Sequence, residues 1–223
     1  MKFQAILFDL DGTLLDTLDD IAFSMNAALA GLGAPTHPAD YYRRSVGQGL
    51  EMLAYLVLPE NRRDEAAIRQ CVAAMRKVYA DRWAHATKPY PGIHGMLLSL
   101  RQAEIPCAVC SNKAHDFTVK MVHHFFGEGA FEMILGNGTF APKPDPAGVL
   151  HIAAAIGIPP EKFIYIGDSD IDMETAVNAR MYPVGVTWGF RSKEELLASG
   201  AEMIVDRPED IAAMAAGQAI LDC

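Results

Sequence analysis

Two groups of aspartates follow apolar runs in this chain. Ala5-Ile6-Leu7-Phe8 leads into Asp9-Leu10-Asp11-Gly12-Thr13, and Phe163-Ile164-Tyr165-Ile166 leads into Gly167-Asp168-Ser169-Asp170-Ile171-Asp172. An Asp-Gly pair alone reads as a turn. Both groups, however, stand where a strand ends, and in a parallel sheet they reach the same edge. At about 4 Å and an effective dielectric near 20, each like-charged pair costs roughly 4 kcal/mol. Carboxylates gathered in this way need a counter-charge, and a hard divalent cation with oxygen ligands, Mg²⁺, supplies one. A metal held by one or two carboxylates, completed by waters and a substrate phosphate, makes a phosphoryl-transfer site. Calcium storage is the competing reading, but the EF-hand spacing and its closing Glu are missing.

Two further segments fit the same edge. Ser111-Asn112-Lys113 follows Cys110 and offers a hydroxyl and amide donors, although Ser-Asn by itself reads more readily as a helix N-cap. Lys143 lies in Ala141-Pro142-Lys143-Pro144-Asp145-Pro146. Most lysines are solvated surface residues. The prolines on both sides of this one set the backbone direction stiffly, which points to a positioned cation.

The elements that must position these residues alternate. Short apolar runs at 5–8, 107–110, 133–135, 163–166 and 183–186, with a weaker one at 203–205, read as strands. Helical patterns at 95–102, 117–126, 147–156 and 173–179 separate most of them. The expected fold class is therefore α/β, a doubly wound parallel sheet covered on both faces. Residues 18–84 break the rhythm and read as helices at 18–32, 39–46, 50–57 and 64–83, punctuated by Pro35, Pro38 and Pro59. The expected organisation is a catalytic core of residues 1–16 and 86–223, with a small helical cap domain, 17–85, inserted after the first strand.

The bulk properties narrow the function classes. The 223 residues carry a formal net charge of −9, which disfavours a nucleic-acid partner. No run of about 18 apolar residues spans a membrane, and the N-terminus lacks the form of a signal peptide, so a cytoplasmic protein is expected. Four cysteines, Cys71, Cys107, Cys110 and Cys223, are too few and too irregular for a disulfide scaffold. Cys107 and Cys110 match C-x-x-C, but residues three apart on a strand face opposite ways, so both read as core.

The four segments, in this order, resemble the haloacid dehalogenase superfamily of phosphohydrolases over essentially the whole chain. The first motif is Asp9-Leu10-Asp11-Gly12-Thr13, the second Ser111, the third Lys143, and the fourth Gly167-Asp168 with Asp172. Within the superfamily the likeness runs to the phosphoglycolate phosphatases. It is carried by Val46-Gly47-Gln48-Gly49 and by Gly185-Val186-Thr187-Trp188-Gly189-Phe190 followed by Glu194-Glu195-Leu196-Leu197. The resemblance implies a Rossmann-like core and hydrolysis of a small-molecule phosphate ester, with 2-phosphoglycolate as the expected substrate.

The implied roles follow residue by residue. Asp9 is the nucleophile and Asp11 the acid and base. Asp9, Asp168 and the backbone carbonyl of Asp11 hold Mg²⁺, and Asp172 orients Lys143 or a metal-bound water. Ser111, Asn112 and Lys143 bind the phosphoryl oxygens. Arg43, Arg44, Gly47, Gln48 and Gly49 are cap candidates for the substrate's second anionic group, although both arginines read equally as helix-surface charges. Asp16 and Thr17 stand at the hinge, where helix capping is an equal reading. His123, His124 and Trp188 read as structural. The rival functions are a phosphosugar mutase, and a pyrophosphatase or nucleotidase of the same fold. A dehalogenase lacks the second aspartate, and a non-catalytic binding module predicts degraded motifs. The expected state is a monomer or homodimer.

Overall fold

The computed structural model describes residues 3–215. The chain divides into two compact units. One runs to Leu15 and resumes at Pro89, and the other is Asp16–Lys88. Two-residue strands at Leu15–Asp16 and Lys88–Pro89 lie at the two crossings. Among the described residues no helix is long and apolar enough to cross a membrane.

The first unit is built on six parallel strands: β1 (Ala5–Phe8), β2 (Cys107–Ala114), β3 (Met133–Asn137), β4 (Phe163–Gly167), β5 (Tyr182–Val186) and β6 (Met203–Val205). Their order is β3-β2-β1-β4-β5-β6. The order reverses between β1 and β4, the place where α/β sheets bind ligands beyond their strand ends. Phe8 pairs with Val109 on one side and Ile166 on the other, so the residues following β1 and β4 emerge side by side.

Both sheet faces are covered, which explains the unbroken apolar runs. Ala5, Leu7, Ala108, Cys110, Phe163 and Tyr165 pack on one face with Val149 and Ile152, and with Ala176 and Ala179. These come from the helices Ala147–Ile156 and Asp170–Ala179. The other face buries Ile6, Phe8, Val109, Ile164 and Ile166, and Phe8 meets Phe131 edge-on. Cys110 belongs to the first face and Cys107 alternates to the other, as strand geometry requires.

Two local departures matter for the site. Strand β2 runs on past Cys110 to Ala114, with a register shift between those residues. Ser111 and Asn112 are therefore buried strand residues and not a helix cap. The following helix, His115–Phe126, is preceded by Ala114. The helix expected at 173–179 starts instead at Asp170. Ser169 caps it, accepting from the Asp172 backbone while Asp172 accepts from Ser169, a reciprocal box that satisfies two end donors.

The second unit is all helical: α1 (Leu18–Gly31), α2 (Ala39–Ser45), α3 (Leu50–Val57) and α4 (Glu65–Arg82). Cys71, Met75 and Tyr79, spaced four apart on α4, form its buried stripe, and the Cys71 thiol meets the Met25 sulfur at 3.6 Å. Tyr42 is fully buried and donates to Asn26 Oδ1 at 2.5 Å. Asn26 also donates to the His37 carbonyl and accepts from its N–H, at 2.8 and 2.9 Å.

Asp20 is fully buried on α1. Its Oδ2 accepts from Ala86 N–H (2.9 Å), Thr87 N–H (2.8 Å) and the Thr87 hydroxyl (2.8 Å). Arg82 lies 3.8 Å from its other oxygen and stacks on Phe23. One carboxylate thus ties α1 to the segment that leaves the unit. Asp20→Ala strands three donors in a dry site and is expected to cost about 3 kcal/mol. The measurement is a lowered urea midpoint at unchanged slope, and an unshifted midpoint would show the tie to be idle.

Candidate active site

The carboxyl ends of β1 and β4 bring the aspartate groups together. Asp9 N–H donates to the Ile166 carbonyl at 2.9 Å, so Asp9 extends the β1–β4 pairing by one residue. Asp9, Asp168 and Asp172 each offer an oxygen within 4.8 Å of the others, and all three are buried. This group could hold a metal ion. The Asp11 side chain does not join it and turns instead to Lys113.

Lys143 bridges the group. Its ammonium donates to Asp9 Oδ1 (2.7 Å), Asp172 Oδ1 (2.6 Å) and the Cys110 carbonyl (3.1 Å), which accounts for all three of its donors. Burial alone would push this lysine below its ordinary value. Asp172 and Asp9 outweigh that and push it well above the ordinary lysine value. The backbone is fixed as firmly as the side chain. Asn112 Oδ1 accepts from Lys143 N–H at 2.8 Å, and Asn112 Nδ2 donates to the Lys143 carbonyl at 3.0 Å. Asn112, expected at the phosphate, is thus engaged with the lysine through both ends of its amide.

Asp172 is held from all sides. Oδ1 accepts from Lys143 and from the Tyr165 hydroxyl (3.2 Å), while Oδ2 accepts from Ser169 N–H (3.1 Å) and its hydroxyl (2.6 Å). Four contacts make it a fixed counter-ion to Lys143. Asp168 is held differently. Oδ1 accepts from the Thr13 hydroxyl and Oδ2 from Phe190 N–H, both at 2.8 Å. Trp188 Nε1 donates to the Thr13 carbonyl at 2.9 Å, which links the segment after β5 to the loop after β1. The fit around Asp168 is close. A Cβ on Gly189 would fall 2.2 Å from the Asp168 Cβ, and one on Gly12, at φ +94°, would fall 2.3 Å from its Oδ2.

Burial and like charges dominate the electrostatics. Burial raises the Asp9 carboxyl well above the ordinary range. Lys143 opposes the shift, and Asp172 and Asp168 add to it. Burial, followed by Asp172, pushes Asp168 up to about 7, against the Phe190 and Thr13 hydrogen bonds. Hard oxygen donors in a buried, electron-rich cluster suit a hard divalent cation.

Ser111 is buried, and its hydroxyl accepts from Lys113 N–H at 3.2 Å. Arg43, Arg44, Gly47, Gln48 and Gly49 lie together in the helical unit, between the end of α2 and the start of α3. Both arginines are exposed in the last turn of α2, where they complement the helix dipole. Thr17 stands at the N-cap of α1 but does not cap it with its side chain. Burial pushes the Cys107 and Cys110 thiols up to about 12, values of inert core residues. His124 is exposed and packs edge-on against Phe125.

A parallel sheet with carboxylates and a lysine gathered at the ends of its two central strands defines an α/β protein with an acidic site that could hold a cation. The family model for haloacid dehalogenase-like hydrolases matches residues 6–186, and the chain belongs to that family. A phosphoglycolate phosphatase from Aquifex aeolicus is 33% identical over 209 residues, covering 93% of this chain and 94% of that protein. A phosphoglycolate phosphatase from Psychrobacter arcticus is 30% identical, with 88% of each chain covered. A solved structure provisionally named a phosphoglycolate phosphatase, from Lactobacillus delbrueckii subsp. bulgaricus, superposes with a TM-score of 0.90 at 31% identity. It covers 96% of this chain and 99% of that one.

The Asp168 shift sets a pH dependence in metal-free protein. The unfolded carboxyl titrates near 3.9, whereas the folded one is held to about 7. The fold binds that proton more tightly, so the associated stability is full below about 4 and is lost as pH rises through about 7. In chelator, the stability of the parent relative to Asp168→Asn should therefore fall across that window. Urea unfolding of both proteins at a series of pH values reads it, and a flat difference would contradict it.

Proposed function

We propose that this chain is a Mg²⁺-dependent phosphatase that hydrolyses 2-phosphoglycolate through an aspartyl-phosphate formed on Asp9. The observation that carries this reading is the placement of Asp9 at the end of the central strand, bound to a lysine that Asp172 locks in place. Asp9, Asp168 and the Asp11 carbonyl would hold Mg²⁺, and when bound it would supply a counter-charge for the cluster and Lewis acidity at the phosphoryl group. Asp9 attacks phosphorus. Asp11 gives a proton to the leaving oxygen and later takes one from the attacking water. Lys143 and Ser111 hold the equatorial oxygens, where transition-state charge is spread.

The substrate assignment rests on the relatives that bear the phosphoglycolate phosphatase name and cover nearly the whole chain. The helical unit would act as the specificity cap. Its Arg43 to Gly49 segment offers guanidinium groups and backbone donors for the carboxylate of the substrate. Cys71, Cys107 and Cys110 are buried as free thiols, which suits a reducing compartment such as the cytoplasm.

Asp9→Asn is nearly isosteric but cannot attack phosphorus. Its kcat should fall by at least about a thousandfold with the fold intact, since loss of a covalent nucleophile removes the whole pathway. Wild-type-like turnover would end the mechanism. Arg44→Ala tests the substrate. Its kcat/KM for 2-phosphoglycolate should fall about ten- to a hundredfold, the cost of one charged hydrogen bond. Hydrolysis of an aryl phosphate that lacks the carboxylate should change little. Equal losses on both esters would assign the arginine to stability.

A further inference from the structure

Lys113 has no part in the roles assigned above. Its ammonium sits in the fork of the Asp11 carboxylate, 3.0 Å from Oδ1 and 3.1 Å from Oδ2. The two side chains are only 9% and 11% exposed. A pair this dry sacrifices hydration on both sides and holds together only when its surroundings fix the geometry.

The frame that fixes it is local. The register shift in β2 falls between Cys110 and Ala114, and so includes Lys113. Lys113 N–H donates to Ser111 Oγ at 3.2 Å, and the Thr118 hydroxyl donates to the Lys113 carbonyl at 3.1 Å. On the neighbouring strand, Gly136 N–H donates to His115 Nδ1 at 3.1 Å. A Cβ at Gly136 would lie 2.7 Å from the Lys113 carbonyl oxygen, 2.5 Å from the His115 Cα and 2.6 Å from the Thr118 hydroxyl. Strand β3 approaches this turn so closely only because residue 136 has no side chain. Three elements thus aim one lysine at one aspartate.

We propose that Lys113 is the positioning residue for Asp11 and acts in the second half of the reaction, the hydrolysis of the phosphorylated Asp9. This rests on the phosphatase reading above. In that half, the water oxygen bonds to phosphorus as the bond from phosphorus to the Asp9 oxygen breaks. The electron pair of the broken bond returns to Asp9, and the water proton passes to Asp11. A base is needed there as an aimed carboxylate, which is how Asp11 stands in the fork of Lys113. Without the lysine the Asp11 side chain is free to rotate, and the water is met less often in the productive direction.

An aryl phosphate separates the two halves, because its leaving group departs without a proton. With p-nitrophenyl phosphate and Mg²⁺, kcat/KM reports transfer to Asp9, and kcat includes hydrolysis. For Lys113→Met, kcat is expected to fall about ten- to a hundredfold while kcat/KM stays within about threefold of the parent. A burst of about one nitrophenolate per enzyme should appear as the phosphoenzyme accumulates. Lys113→Arg should recover much of kcat, since a guanidinium can also bridge both carboxylate oxygens. Lys113→Gln carries the same test if the Met variant melts early. A parallel fall in kcat and kcat/KM without a burst, or an unchanged kcat, overturns the assignment of Lys113 alone. Failure of the parent to release nitrophenolate removes the phosphatase reading beneath it.

Discussion

The site depends on one buried ion pair network, Lys143 between Asp9 and Asp172. A lysine in so dry a place keeps its charge only because two carboxylates outweigh the cost of burial. Every other contact in the network serves that balance. The Cys110 carbonyl takes the third ammonium proton, while Ser169 and Tyr165 fill the remaining acceptor sites of Asp172. Asn112 then locks the backbone from which the lysine extends. Removing one member would leave a buried charge unpaired, which is why such networks tolerate little change.

Around that balance stands an acidic group that could hold a cation. Asp9, Asp11, Asp168 and Asp172 meet only two lysines, Lys143 and Lys113, in the described hydrogen bonds. Asp168 receives hydrogen bonds from Thr13 and Phe190, and burial, with Asp172 beside it, raises its carboxyl against these and Arg191. The sheet makes this tension possible. It fixes Asp9 and Asp168 on neighbouring strands at the point where the strand order reverses, so neither can move away to relieve repulsion.

The sheet was legible because strands covered on both faces read as unbroken apolar runs, as in Phe163 to Ile166. The aspartates were legible because they follow those runs directly. The polar extension of β2 through Ser111 and Asn112 was not. Polar residues after an apolar run resemble a loop or cap, and here the strand runs on through them until pairing with β3 resumes at Ala114, while Lys143 clamps Asn112. Lys113 was hidden for a similar reason, since a lysine beside a turn reads as solvated until the fold places Asp11 against it. In the helical unit the four helices were apparent from their stripes. Asp20 and Asn26 were not, because a polar residue within a helical pattern gives no sign that its partners are as distant as Thr87 or His37. Gly189 and Gly136 carry no sequence signal of their close approaches.

The two lysines differ in a way that matches the chemistry asked of their partners. Lys143 has two carboxylates and a carbonyl around it, all fixed, and its surroundings resist any change of charge. Asp9 can therefore change from carboxylate to acyl phosphate while Asp172 still balances the lysine. Lys113 meets the Asp11 carboxylate, on a residue whose proposed work is to gain and lose a proton. The Lys113 ammonium lies in the fork of one carboxylate, whereas that of Lys143 is shared between two aspartates. The lysine shared between two aspartates sits with the proposed nucleophile, and the other sits with the proposed acid and base. The difference between them comes from where β2 shifts register, after Cys110, so that its backbone serves Lys143 at one residue and carries Lys113 three residues later.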